Sequence, residues 1–224
     1  MHHRIPAAAL IAACALAVSC AGAPPNPDMV ADADPFTLGS VSVSFDKFFS
    51  QGLTEKAVPV VFDPRTDTAY LQFTYETVTY RQFWNRQNRR AFSDALARYR
   101  TDFEAGNLSL PPAKARRAYG AVKGKTEWGQ VSFSVNARAF PVIEAGYQFK
   151  GDNPYFTVFQ REAENTLSSN SDRPRRSLKI TLYFTRAQGA GLARVFDQSF
   201  ILERLDAEGI LPQGKAVPDE YPFH

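Results

Sequence analysis

The residues that most often carry out chemistry in enzymes are scarce in this sequence of 224 residues. Its three histidines are His2, His3 and His224, and its two cysteines are Cys14 and Cys20. Removal of residues 1–19, which the amino-terminal pattern predicts, leaves one histidine at the last position and one cysteine at the first. This distribution excludes a Ser-His-Asp triad, an internal cysteine nucleophile, a zinc cage of histidine or cysteine and a disulfide within the chain. We therefore expect no metal, no cofactor and no enzymatic activity.

Carboxylate pairs are the remaining candidates for catalysis, because glycan hydrolysis needs only two acidic side chains. Glu162 and Glu164 share one face of a predicted strand and are the best such pair. A carboxylate-dependent glycan hydrolase is therefore one alternative function, and two acids facing solvent beside a polar loop are the simpler interpretation. The other candidates are weaker: Asp102 with Glu104, Asp63 with Asp67, and the Ser-x-x-Lys spacing of Ser44 and Lys47, which falls at a strand end rather than at a helix start.

The amino terminus has the pattern of an export signal. Residues 1–4 are short and positively charged, and Ala7 to Val18 is an apolar run that is too short to cross a bilayer as a helix. The run ends in Leu16-Ala17-Val18-Ser19-Cys20. This segment resembles the lipobox of bacterial lipoproteins, with Ala17 at the position where leucine is usual. The resemblance implies a signal peptide over residues 1–19 and diacylglycerol on Cys20.

Two other outcomes at this terminus are an ordinary secretory cleavage after Ala23 and a retained anchor. Pro24 would follow that secretory cut and is poorly tolerated there, which favours acylation. In lipoproteins of bacteria with two membranes, an alanine after the lipidated cysteine, as in Ala21, goes with the outer membrane rather than the inner membrane. We therefore expect a lipid-anchored protein of the cell envelope, at the outer membrane.

The segment after Cys20 is predicted to be a tether over residues 20–35. It contains four prolines and three aspartates and almost no bulky apolar residue, which is typical of an extended, soluble linker. A single globular domain is then predicted over residues 36–205, followed by a turn-rich tail over residues 206–224.

Alternation of apolar and polar residues predicts seven or eight strands in this domain. They lie in Val41–Phe45, Val58–Phe62, Ala69–Thr79, Val131–Ala137, Ile143–Phe149, Tyr155–Ala163, Leu178–Thr185 and Ala193–Leu202. Their short connections favour an antiparallel sheet. Residues 165–176 are predicted to be a surface loop.

One long amphipathic helix is predicted from Arg81 to Ala105, with Gly106 as its C-terminal cap. A short second helix could run from Pro111 to Tyr119. The sequence thus predicts an α+β fold in which a curved, mainly antiparallel sheet packs on the long helix. A β-sandwich with the helix at its edge is the alternative.

The charge is concentrated in residues 81–125, which contain eleven basic and three acidic residues. This region could contact anionic lipid headgroups or an acidic envelope protein, whereas export to the envelope argues against nucleic acid. The simpler interpretation is a solvated helix face paired with acidic residues of the N-terminal part. The candidate contacts are Arg86, Arg89, Arg90, Arg116 and Arg117.

The sequence also contains twenty-nine aromatic residues, of which eighteen are phenylalanine. They could line a cavity for an acyl chain or another apolar ligand, or they could simply fill the core. The leading hypothesis is a membrane-anchored envelope lipoprotein that acts as a non-enzymatic binding module, and a carrier of an apolar ligand is the second hypothesis. The sequence does not indicate the oligomeric state.

Overall fold

The computed structural model describes residues 28–47, 52–109, 117–129, 137–167 and 175–212. These residues form ten strands and three helices. The elements are β1 (Phe36–Asp46), β2 (Leu53–Asp63), β3 (Thr68–Tyr75), β4 (Val78–Asn85), α1 (Arg86–Glu104), β5 (Arg117–Lys123), β6 (Lys125–Gly129), β7 (Ala137–Ala139), β8 (Val142–Lys150), β9 (Asn153–Gln160), β10 (Ile180–Phe184), α2 (Arg186–Phe196) and α3 (Gln198–Ala207).

All ten strands belong to one antiparallel sheet with the order β5-β8-β9-β10-β1-β2-β3-β4-β6-β7. The sheet is strongly curved. Its curvature brings Gln82 on β4 close enough to donate a hydrogen bond of 3.1 Å to Gln160 on β9, five strands away. The predicted α+β class and the curved antiparallel sheet are confirmed. The β-sandwich alternative is wrong, since the strands form one sheet, and the predicted numbers of strands and helices were too low.

The two ends of the sheet are connected by continuous chain. β5 and β6 are separated only by Gly124, yet β5 pairs with β8 at one end of the sheet and β6 pairs with β4 near the other. Gly124 donates its N–H to the Pro141 carbonyl (2.9 Å), and a Cβ at this position would overlap the end of the Ile143 side chain. Glycine is therefore required where this long strand changes partners.

The long helix begins at Arg86, five residues later than predicted. Tyr80, Gln82 and Trp84 are buried and alternate with half-buried Arg81 and Phe83, which is the period of a strand. The aromatic residues before Arg86 matched a helical spacing as well, so the pattern alone was ambiguous. The helix starts where the Asn85 side chain accepts a hydrogen bond from the Asn88 N–H (2.8 Å).

The predicted last strand, Ala193–Leu202, is wrong, because these residues lie in α2 and α3. Thr185 and Gln188 form a reciprocal capping box at the start of α2, and Asp197 caps α3 by accepting from Ser199 and Phe200. Two glycines, Gly189 and Gly191, precede this predicted strand. Both are inside α2, and Gly189 is buried against Leu96 of α1.

Several predicted segments lie wholly or partly outside the described residues. The signal peptide, Cys20, residues 131–136 of a predicted strand, residues 168–174 of the predicted loop and residues 213–224 of the tail are among them. The predicted second helix is wrong over residues 117–119, which belong to β5. Asp206, where the tail was predicted to begin, still belongs to α3.

Aromatic side chains fill the space between the helices and the concave face of the sheet. The Phe92 ring of α1 lies 5.4 Å from the ring of Phe156 and 6.2 Å from that of Phe184, in edge-on contacts. It also contacts Trp84 and Phe196, at 5.8 and 5.4 Å. These rings pack against one another, as in an ordinary core.

Candidate binding surface at the edge of the sheet

Two of the predicted surface arginines are part of one buried ion pair network. Arg89 is 2% exposed and donates hydrogen bonds to the Asp67 carboxylate (2.8 Å), to two backbone carbonyls and to Gln198 (2.9 Å). Arg86 contacts the other Asp67 oxygen at 2.7 Å. Burial lowers the pKa of the Arg89 guanidinium, and the Asp67 carboxylate opposes this change. The prediction that Arg89 contacts an anionic surface is therefore wrong, since its side chain connects α1, α3 and the β2–β3 turn.

The other arginines that were predicted to contact an anionic surface are Arg90, Arg116 and Arg117. Arg90 is on the exposed side of α1. Arg117 is the first residue of β5, although its side chain is not among the described parts, and Arg116 is outside the described residues. Among the described side chains, the structure thus separates the buried Arg89 from the exposed Arg90. The sequence could not distinguish buried from exposed positions within a dense run of arginine.

The candidate carboxylates are engaged in structural contacts. Glu162 forms an ion pair of 2.5 Å with Arg176, and Glu164 pairs through its backbone with the same residue. Asp102 accepts a hydrogen bond from the Tyr119 hydroxyl (2.8 Å). The side chains of Glu162 and Asp102 thus have roles in the fold, and Glu164 is held through its backbone. No pair of these carboxylates faces a shared cleft in the described part of the chain.

The remaining weak candidates are also held by their neighbours. Asp63 accepts hydrogen bonds from the N–H of Arg65 and the hydroxyl of Thr66 within the β2–β3 turn. Glu104 lies 4.0 Å from Arg100 on α1. Ser44 is buried within β1, whereas Lys47 follows the end of that strand, so the Ser-x-x-Lys spacing crosses a strand end as predicted.

A buried polar cluster that the sequence did not reveal lies inside the curved sheet. Gln160 accepts hydrogen bonds from Gln82 (3.1 Å) and from the Thr126 hydroxyl (2.7 Å), and all three side chains are fully buried. The three residues come from β9, β4 and β6, so only the tertiary fold brings them together. The cluster stabilises the closest approach between distant strands.

The C-terminal half of the predicted tether packs on the domain. The N–H groups of Val30 and Ala31 both donate to the Pro64 carbonyl, at 2.9 and 3.3 Å, and both side chains are buried. Arg65 forms ion pairs with Asp32 (2.8 Å) and Asp34 (2.9 Å). Residues 28–34, which we call the docked segment, are therefore held against the β2–β3 turn rather than extended away from it.

An exposed strand edge lies at β5. The Val142 carbonyl of β8 accepts a hydrogen bond from the Arg161 N–H (2.9 Å) and therefore points away from β5. Lys123 lies opposite Val142 in the β5–β8 register, so its own N–H and C=O point away from β8, to the outer edge of β5. There the Lys123 carbonyl accepts from the Asn88 side chain (3.1 Å). In an antiparallel strand the backbone groups of every second residue point to the same edge, so the N–H and C=O of Ala121 also point outward. The described residues provide no hydrogen-bond partner for these two groups.

A small apolar pocket adjoins this edge. Its volume is about 20 Å³, and it lies between α1 and the concave face of β5 and β8. Gly120 is exposed, and a Cβ at this position would have no atom within 4 Å. The pocket therefore has room for one methyl-sized or water-sized group, far less than an acyl chain. Its lining consists of Trp84, Ala91, Phe92, Gly120, Ala121, Val122, Ile143 and Ala145.

Trp84 contributes a donor to this region. Its side chain is 2% exposed, and its indole Nε1 has no hydrogen-bond partner among the described residues.

The exposed residues around the pocket are mostly basic. Lys123 on β5 and Arg90 and Arg98 on α1 are exposed, and Asp94 and Glu104 are exposed acids on the same helix. Lys123 also lies over the ring of Phe140 (5.9 Å), which is one of the few exposed aromatic side chains.

Two negative findings concern the described part of the chain. It contains no group of three or more acidic, histidine or cysteine side chains arranged to hold a metal ion. None of its helices is both long enough and apolar enough to cross a membrane.

The geometry defines an α+β domain built on one strongly curved antiparallel sheet. A family model described as "Uncharacterised Treponema protein" matches residues 35–203, more than half of the chain, and the chain belongs to this family. An uncharacterized protein of Treponema pallidum (strain Nichols) is 26% identical over 143 residues, which are 63% of this chain and 52% of that protein. The chain thus spans about half the length of the curated relative that it matches. No solved structure matches it with significance.

Proposed function

We propose that this protein is a lipid-anchored component of the cell envelope, at the outer membrane, whose folded domain is a non-enzymatic binding module. The observation that carries the proposal is the lipobox-like sequence ending at Cys20. Diacylglycerol on Cys20 together with an amide-linked acyl chain provides several buried chains, which is enough for stable membrane anchoring, whereas one chain is not.

The docked segment supports a defined position of the domain relative to the membrane. The chain from Cys20 to Asp28 can span at most about 30 Å when fully extended. Because residues 28–34 are held against the β2–β3 turn, the acyl chains must lie within that distance of this turn. The end of the domain that carries the β2–β3 turn therefore faces the membrane.

Anchoring is tested by the Cys20→Ser variant in the native envelope. We expect the wild-type chain to incorporate labelled fatty acid and to sediment with membranes, and the variant to do neither. A Cys14→Ser variant is the matched control, because it removes a thiol from the apolar run and leaves Cys20 intact. Membrane association of Cys20→Ser equal to that of the wild type would contradict the proposal.

Orientation is tested with fluorophores at the two ends of β3. Thr66 and Thr77 are exposed turn residues on either side of this strand of eight residues, about 25 Å apart. In the anchored chain, a fluorophore on Thr66→Cys should be quenched more strongly by lipid-headgroup quenchers than one on Thr77→Cys. Equal quenching, or stronger quenching at Thr77→Cys, would contradict this orientation.

A further inference from the structure

We propose that the outer edge of β5 and the adjoining pocket bind an extended, acidic peptide segment of another envelope protein. The segment adds to the sheet as one more antiparallel strand and places a small apolar side chain in the pocket. This inference rests on the proposed binding function and adds the class of partner.

The first argument is the main chain of β5. This strand is at one end of the sheet order, and Ala118, Gly120 and Ala121 are exposed along it. The Ala121 N–H and C=O point outward, which offers a donor and an acceptor to an added strand. Folded proteins commonly protect such edges, and an exposed edge with small side chains is the site at which peptide strands are captured.

The second argument is the pocket. A strand that pairs with Ala121 directs alternate side chains to the concave face of the sheet, where the pocket lies. The volume of about 20 Å³ accepts one methyl group, such as that of alanine or one branch of valine, and excludes an aromatic ring.

The third argument is charge. Side chains of the added strand that point away from the pocket approach Lys123, and the helix beside the pocket exposes Arg90 and Arg98. These three cations outnumber the two exposed acids of the helix, Asp94 and Glu104, which favours acidic side chains next to the apolar one.

The experiment uses the full chain in detergent and two fluorescein-labelled hexapeptides, one alternating glutamate with valine and one alternating lysine with valine. Fluorescence anisotropy should show binding of the glutamate peptide at least tenfold tighter than binding of the lysine peptide. Absence of binding by the glutamate peptide, or equal binding of both, would overturn the proposal.

Two variants locate the site. Gly120→Val adds a branched side chain at the mouth of the pocket, where its Cβ would meet no atom within 4 Å, and Ala121→Pro removes the outward N–H. Each should weaken binding of the glutamate peptide at least tenfold. Gly39→Val is the matched control, since Gly39 is also a strand glycine with no atom within 4 Å of its Cβ, and it should bind as the wild type does.

Thermal unfolding of each variant distinguishes lost binding from a lost fold. If Gly120→Val does not fold, the binding of the glutamate peptide to Ala121→Pro alone tests the proposed site. Unchanged binding in both variants would overturn the proposed site. Failure of lipid anchoring is measured separately by Cys20→Ser in membranes, so it cannot be mistaken for failure of peptide binding in detergent.

Discussion

At the scale of single residues, burial determines the role of each charged side chain. Arg89 and Arg90 are neighbours in a basic run, yet Arg89 is enclosed by Asp67 and Gln198 while Arg90 is exposed. The difference follows from the helical period, which turns adjacent residues about 100° apart. A basic cluster in the sequence therefore does not define a basic surface.

Loss of the Asp67 charge should destabilise the fold strongly. Asp67→Asn leaves the Arg89 guanidinium buried without its ionic partner, and we expect the free energy of unfolding to fall by about 3 kcal/mol. Asparagine tolerates the positive φ of this position (46°), so the backbone is not the cause. Urea unfolding measures the change.

The control is Arg86→Ala, which removes the more exposed partner of the same carboxylate. It should lower the free energy of unfolding by about 1 kcal/mol or less. Equal losses of unfolding free energy in Asp67→Asn and Arg86→Ala would show that the buried charge of Arg89 is not the main reason for the destabilisation.

The buried tyrosines predict a loss of stability at high pH. Burial raises the pKa of Tyr80 and of Tyr99 to about 12. An unfolded tyrosine ionises near pH 10, so above that pH the unfolded chain releases protons that the folded chain keeps. The free energy of unfolding should therefore fall as the pH rises from 10 towards 12.

Urea unfolding at a series of pH values measures this slope. The double variant Tyr80→Phe with Tyr99→Phe lacks these two hydroxyls, and its slope should be shallower than that of the wild type. An unchanged slope would contradict the assignment to these two hydroxyls.

At the scale of elements, close contact between helices depends on one glycine. Gly189 of α2 is buried, and a Cβ there would lie 2.9 Å from Leu96 Cδ1 of α1. Gly191, two residues later in the same helix, is exposed and would meet no atom within 4 Å. The two glycines are in the same helix, but Gly189 faces Leu96 of α1 and Gly191 faces open space.

Alanine at these two glycines should have opposite effects on stability. Gly191→Ala should raise the free energy of unfolding by about 0.5–1 kcal/mol, because alanine loses less backbone entropy in a helix. Gly189→Ala should lower the free energy of unfolding by about 1 kcal/mol, since the cost of displacing the Leu96 side chain exceeds the entropic gain. Thermal unfolding of both variants tests this, and a gain in both would contradict the packing role of Gly189.

Local patterns predicted several of these elements. Burial alternates regularly along most of β3, because this strand buries one face, whereas β1 and β8 each contain a run of three buried residues. Alternation of residue types also predicted the strand Leu178–Thr185, which contains β10, although all five residues of β10 are buried. The strand β5 was missed, because alanine favours helix and glycine weakens both helix and strand, as at Ala118, Gly120 and Ala121.

At the scale of the whole molecule, the docked segment connects the predicted anchor to the domain. Ala31 is 1% exposed beside the β2–β3 turn, so a carboxylate at this position would lose its hydration without gaining a partner. Ala31→Glu should therefore detach residues 28–34 while the sheet remains folded. Hydrogen exchange of the peptide that contains Val30 should become fast.

The comparison variant is Arg65→Ala, which removes only exposed ion pairs with Asp32 and Asp34. Its docked segment should stay protected, because the buried side chains and the hydrogen bonds to Pro64 remain. Full protection in Ala31→Glu would show that burial of Ala31 does not hold the segment.

The sequence by itself determined properties that depend on neighbours along the chain. The near absence of histidine and cysteine excluded several kinds of catalysis, the alternating residues predicted an antiparallel sheet, and the pattern around Cys20 predicted lipid anchoring, which stays a prediction. Only the tertiary structure decided which strands pair, where Arg89 lies, and that Gln82 meets Gln160 inside the sheet. The physical reason is range: propensity and periodicity act within a few residues, whereas burial and hydrogen-bond partners depend on segments that the sequence keeps far apart.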